Sequence, residues 1–140
     1  MSAPIVFISH FKVKDLAAYE RMAPEAVRRL QAEKPQTAAF LHYLDREDSR
    51  LTIVHLFADA EAMDRHLEGA ETRGEQAGQV MEREAWEIYG PASDQAQTTM
   101  RRQAESADVP LTAHAEFIAG FVRLALASDL RGEEPKGRPP

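Results

Sequence analysis

Three observations predict an α+β fold made of one antiparallel sheet with its helices on one face. Residues 37–67 read TAAFLHYLDREDSRLTIVHLFADAEAMDRHL, two apolar runs around a charged turn, followed at once by an amphipathic start. Residues 5–13, IVFISHFKV, alternate as a strand ahead of a longer amphipathic stretch. Residues 85–89, AWEIY, form a last compact run that Gly90-Pro91 stops.

In the first strand Ile5, Phe7, Ser9, Phe11 and Val13 share one face, and Val6, Ile8, His10 and Lys12 the other. Asp15 suits an N-cap, and Leu16, Tyr19, Met22, Ala26, Val27 and Leu30 form the apolar stripe of a helix. Pro24 lacks the backbone donor and clashes with the preceding turn, at about 3 kcal/mol inside a helix. A break or kink is therefore expected there, with Pro24 as first residue of a second segment. Lys34-Pro35 ends the helix, because the residue before a proline is pushed out of the α region.

Phe40–Leu44 and Leu51–Phe57 carry aromatic and β-branched residues, and the six polar residues between them have nothing to bury, which predicts a hairpin. With a four-residue loop, Asp45 faces Arg50, His42 faces Ile53 and His55 faces Phe40, so both histidines share one face. Changing the loop by one residue separates them. Asp59 offers an N-cap oxygen, Glu61 suits the positive end of the helix dipole, and Met63, His66, Leu67 and Ala70 recur at helical spacing. The helix is expected to continue through TRGEQAGQVM, where Gly74, Ala77 and Gly78 share a face, marking either fraying or close approach by a backbone or ligand.

Beyond the fourth strand, Ser93 can cap a short polar helix reaching about Ala104. Val109, Leu111, Ala113, Ala115 and Phe117 alternate like a strand, while Phe117, Phe121, Leu124 and Ala125 fit a helix; a strand with a bulge near Gly120 is the expectation. The tail from Ser128 has almost nothing to bury and is expected to be mobile.

Bulk composition narrows the function classes. The chain of 140 residues, 44% hydrophobic and 29% charged, is long enough for one domain with a real core. A net charge of −6 with scattered arginine pairs argues against nucleic acid as a partner. No apolar run approaches the roughly 18 residues of a membrane span, and the first residues lack the basic start and long apolar stretch of a signal peptide. No membrane partner and a cytoplasmic location are expected. Cysteine is absent, which excludes disulfides and thiolate metal ligands.

Strand, helix, strand, strand, helix, strand is the order of the ferredoxin-like split βαβ unit. The expected division is 1–92 for this domain, 93–126 for an extra helix and strand packed on it, and 127–140 for the flexible tail. Both helices lie on one sheet face, so something must cover the other, and a second copy of the chain is the simplest cover. HFKVKDLAAY, AEKPQTAAFLHYLD, FADAEAMDRHL and the closing EIYG resemble the antibiotic-biosynthesis monooxygenase-like proteins of the dimeric α+β barrel class, over roughly residues 5–92. The resemblance implies a homodimer with facing sheets and a small-molecule pocket between sheet and helices. It also implies activities that range from cofactor-independent oxygenation of quinols or aromatic polyketides to haem degradation. His66 matches the histidine that such proteins carry on the second helix.

Five histidines, His10, His42, His55, His66 and His114, make up the reactive inventory. His66 stands on the apolar side of its helix and looks toward the sheet, where a near-neutral imidazole can take a proton from a phenol or quinol. It is the candidate catalytic residue, against the alternative of a packed helix histidine. His10, His42, His55, Tyr43 and the sole tryptophan, Trp86, are the candidate substrate-binding residues, with Phe7, Phe11, Phe40, Phe57 and Tyr89 as further pocket aromatics. The competing reading of each is ordinary core or interface. No carboxylate sits at ligand-like spacing with the histidines, and no phosphate loop, nucleophile elbow or dinucleotide fingerprint occurs, so neither a metal nor another cofactor is expected. The functional expectation is a cofactor-independent monooxygenase acting on a small aromatic or quinol-like ligand. A non-catalytic small-molecule-binding dimer is the alternative, with haem degradation a lesser variant.

Overall fold

The computed structural model describes residues 3–123. The expected tail, and the end of the strand expected to reach Leu126, lie outside them. The elements are β1 (Ile5–Val13), α1 (Leu16–Glu33), β2 (Thr37–Asp45), β3 (Arg50–Phe57), α2 (Ala60–Leu67), α3 (Ala70–Ala77), β4 (Met81–Tyr89), α4 (Asp94–Ala107) and β5 (Leu111–His114). Strand order is β2-β3-β1-β4-β5. The first four strands pair antiparallel, and β5 adds to β4 in parallel. The sheet is thus mixed rather than purely antiparallel, because α4 carries the chain back past β4 before β5 begins.

Local chemistry sets most boundaries where the sequence places them. Asp15, Asp59 and Ser93 each accept a hydrogen bond from the backbone N–H three residues on, at 3.0, 2.9 and 3.0 Å, capping α1, α2 and α4. The hairpin pairs Asp45 with Arg50, His42 with Ile53 and Phe40 with His55, as the four-residue loop requires. Lys34 closes α1 with a backbone bond of 2.8 Å to the Leu30 carbonyl.

Four expectations are corrected. Pro24 does not divide α1, which runs unbroken across it: Tyr19 and Leu30 are buried on either side and hold both halves against the sheet. The second helix is two helices. Gly69 takes the left-handed conformation, φ 81°, and turns the chain between α2 and α3, a geometry that glycine adopts at little cost. β4 begins at Met81 rather than Ala85. β5 ends at His114, and residues 115–123 have no regular secondary structure, so Gly120 marks no bulge in a strand. The exposed Phe117 and Phe121 have no neighbouring strand to complete a ladder.

All helices lie on one face. Ile5, Phe7, Phe57, Met63, Trp86, Ile88, Ala96 and Met100 form one buried cluster under α2 and α4, so the C-terminal extension shares the core of the first four strands. Val13, Tyr19, Leu51, Ile53 and Met81 form a second cluster under α1. The opposite face carries Leu41 and Tyr43, 40% and 58% exposed, beside half-buried Val6, Ile8, Val54 and Leu56. No helix among the described residues is long and apolar enough to cross a membrane.

Candidate functional site

Between the two core clusters the sheet and helices leave a cavity of about 590 Å³, within the range of small-molecule sites. Phe7, Phe11, Phe40 and Trp86 give it an aromatic wall, His55 and His66 line it from β3 and α2, and Met100 and Gln103 reach it from α4.

The two histidines meet edge to face, with ring centroids 5.0 Å apart. His55 is buried, and its Nδ1–H donates to the Phe7 carbonyl at 2.9 Å. A carbonyl can only accept, so Nε2 of the neutral ring is left with its lone pair. His66, 3% exposed, forms a 2.7 Å hydrogen bond through Nδ1 with the Thr37 hydroxyl. Nε2 remains on each ring for a molecule in the cavity. Burial pushes the His55 imidazole down to about 4 and, with His55, Arg73 and Lys34 nearby, pushes His66 down to about 3. Both rings are neutral near pH 7.

The mouth is cationic. Lys14, Arg73 and Arg83 line the cavity against one carboxylate, that of Glu82. Arg73 donates to the carbonyls of His66 and Glu68 at 2.6 and 3.1 Å, tying α3 to the end of α2. The Arg83 guanidinium lies 5.5 Å from the Trp86 ring centroid. Residues three apart on a regular strand point to opposite faces, but the register of β4 against β1 shifts between His10 and Phe11. That bulge brings Arg83 and Trp86 to the same cavity.

Gly74, Ala77 and Gly78 border this mouth, and what comes close to Gly74 is the Arg83 side chain rather than another backbone. A Cβ at Gly74 would stand 2.6 Å from the flexible end of Arg83. Gly74→Ala is therefore expected to raise stability by up to about 1 kcal/mol through helix propensity, because Arg83 can move aside. The same variant is expected to displace Arg83 from the mouth and so to weaken binding of a ligand held there. Urea denaturation and ligand titration of one preparation check both halves.

His66, His55 and Trp86 converge on the cavity with Phe7, Phe11 and Phe40, whereas the other sequence candidates lie elsewhere. His42 is on the same sheet face but turns to α1, where it hydrogen-bonds with the Tyr19 hydroxyl at 2.7 Å; its Nε2 is buried without a partner among the described residues. His10 is on the opposite face, bonded to Glu87 and, at 3.2 Å, to Thr52. Strand alternation separates it from His42 and His55, so these three do not form a cluster. Tyr43 and Tyr89 also lie on that outer face, while Phe57 is core, fully buried. Among the described residues no group of three or more His, Asp or Glu side chains is placed to hold a metal ion. Thr37, Arg73 and Arg83 did not stand out in the sequence. The bulge that turns Arg83 inward has no signature there, and Thr37 reaches His66 from a distant element.

No family model matches the sequence, and no curated protein does. Solved structures do. MupZ from Pseudomonas fluorescens superposes with a TM-score of 0.66 at 13% identity, over 90% of this chain and 94% of its own. The chain has the ferredoxin-like fold of these proteins. SnoaB from Streptomyces nogalater, a cofactor-independent oxygenase, gives 0.52 at 16% identity over 62% of this chain and 91% of its own. Rv0793 from Mycobacterium tuberculosis gives 0.53 at 16%, over 66% and 98%. The SnoaB match is about the length of β1 through β4, whereas the MupZ match must also take in much of α4 and β5.

Proposed function

We propose that the chain is a cofactor-independent monooxygenase that binds a flat, electron-rich phenol or hydroquinone in the cavity between sheet and helices. The observation that carries this reading is the meeting of two neutral histidines against the wall of Phe7, Phe40 and Trp86. The fold shared with SnoaB, itself a cofactor-independent oxygenase, supports it.

His66 takes the phenolic proton as the ligand ionises, and His55 orients the ring through its free Nε2. Burial keeps His66 unprotonated near pH 7, so its uptake of the proton depends on the anion formed beside it. A phenolate beside the new imidazolium then offsets the loss of water around it. Lys14, Arg73 and Arg83 stabilise the same anion from the mouth. The electron-rich anion reduces O2 directly: one oxygen atom replaces hydrogen on a ring carbon, the other leaves as water, and a hydroquinone becomes a hydroxyquinone.

The functional unit in this reading is a homodimer joined through the open sheet face. Exposed Leu41 and Tyr43 and half-buried Val6, Ile8, Val54 and Leu56 offer apolar surface for it.

Oxygen consumption by the purified, metal-stripped protein over a panel of hydroquinones and polyphenols tests the activity. Saturable uptake with hydroxyquinone and water as products supports it. Absence of uptake with any member, while the same compounds bind, leaves the chain a small-molecule binder. A Soret band on titration with haemin identifies the haem-degrading variant instead.

A further inference from the structure

The rim of the cavity carries positive charge that the described residues leave unbalanced. Lys14, Arg73 and Arg83 line it against Glu82 alone, in a chain whose net charge is −6. None of the three belongs to any ion pair among the described residues. Each is placed by a neutral partner instead. Lys14 donates to the Gly78 carbonyl at 2.8 Å, Arg73 donates to the carbonyls of His66 and Glu68, and Arg83 lies over the Trp86 ring. Such contacts fix where a cation stands and leave its charge for another partner. Desolvation lowers the pKa of half-buried Arg73, and the charge of Glu33, which lines an outer pocket, opposes it.

We propose that this rim receives a carboxylate, so that the ligand is a phenol or hydroquinone bearing an acid group at the end of its ring system remote from the reacting hydroxyl. This rests on the reading of the cavity as the site of an aromatic ligand and names the class of that ligand. Trp86 belongs both to the aromatic wall and to the contact with Arg83. A ring seated against that wall therefore has the Arg83 guanidinium within reach of its edge. Each guanidinium presents a planar fork of N–H donors that matches the two oxygens of a carboxylate, and Arg73 has committed only two of its N–H groups to carbonyls. A phenolate formed beside His66 has the new imidazolium as its counter-ion, which leaves most of the rim's charge for a second, permanent anion. On an acidic chain, a positive rim also draws anions toward the opening that leads to the histidines.

The probes are 6-hydroxy-2-naphthoate, with hydroxyl and carboxylate at opposite ends of a flat two-ring system, its neutral methyl ester, and 2-naphthol. In equilibrium dialysis of the full chain at pH 7.5 and low salt, the acid is expected to bind at least about tenfold more tightly than the ester. The ratio should fall as salt is raised, because the rim is open to water. Arg83→Gln and Lys14→Gln are each expected to lower it severalfold, whereas Arg83→Lys keeps the charge, loses the fork and lowers it less. Arg73 is left in place because it ties α3 to α2. Equal affinity for acid and ester would overturn the carboxylate rim and leave the aromatic cavity standing. So would a preference for the acid that survives undiminished in Lys14→Gln/Arg83→Gln, since the anion would then be held elsewhere. Saturable binding of none of the three compounds would remove the cavity reading and the rim with it.

Discussion

Replacing His66 by alanine is expected to lower kcat/KM for the best hydroquinone by about 10²- to 10⁴-fold, the usual cost of losing a positioned general base. His66 is the cavity histidine whose Nδ1 is held by a hydroxyl, Thr37, at 2.7 Å. Thr37→Val keeps the shape of that side chain and removes the bond, so the ring loses its orientation but not its place. A smaller loss of activity is expected, on the order of tenfold. Because burial holds the His66 imidazole down to about 3, the rate should show no acidic limb near pH 6.5, where a solvated histidine titrates. Stopped oxygen-electrode assays of wild type, His66→Ala and Thr37→Val between pH 5 and 8 separate these effects. A variant that keeps wild-type turnover would send the proton to His55 instead.

The second large effect is on stability. His55 and His66 titrate near 6.5 when unfolded but are held down to about 4 and about 3 in the fold. Below pH 6.5 the unfolded chain therefore binds protons that the folded chain refuses. Each histidine removes about 1.4 kcal/mol per pH unit, until its folded value is reached. Stability is fully present above pH 6.5 and falls steeply from there toward pH 4. Together the two groups remove about 8 kcal/mol, enough to drive acid unfolding of a domain at the lower end of the typical range of about 5–15 kcal/mol. Urea midpoints at pH 7.5, 6, 5 and 4.5 should trace this slope, and His55→Phe should roughly halve it. A flat profile would mean that both rings are solvated.

Much of the architecture was legible because local rules and the buried pattern agree. Asp15, Asp59 and Ser93 announce helices, the charged run from Asp45 to Arg50 announces a tight turn, and the register follows from that turn's length. Period-two alternation then placed His42 and His55 on one face, which the structure shows to be the helix-covered one. The same alternation, carried along β1, already separated His10 from them. Grouping the three failed because sheet adjacency says nothing about which side a chain approaches from. Pro24 was misread for a related reason: propensity argues from the helix alone, whereas Tyr19 and Leu30 anchor α1 to a sheet formed by distant residues. Gly69 could not be distinguished from Gly74 by sequence, yet one breaks a helix and the other admits Arg83. The site was half visible for the same cause. His66 and Trp86 lie on predictable faces, but Arg83 reaches the cavity through a bulge, and Thr37 meets His66 only once β2 and α2 have packed.

The central claim is that the cavity floored by His55 and His66 receives an aromatic ligand, and Trp86 on its wall is the chain's single tryptophan. Its fluorescence, corrected for absorption by the ligand, should be titrated anaerobically with hydroquinones and naphthols. The account predicts saturable quenching with one ligand per chain, weakened in His66→Ala and Gly74→Ala. Calorimetric binding of the same compounds with Trp86 emission unchanged would place the ligand elsewhere and contradict it.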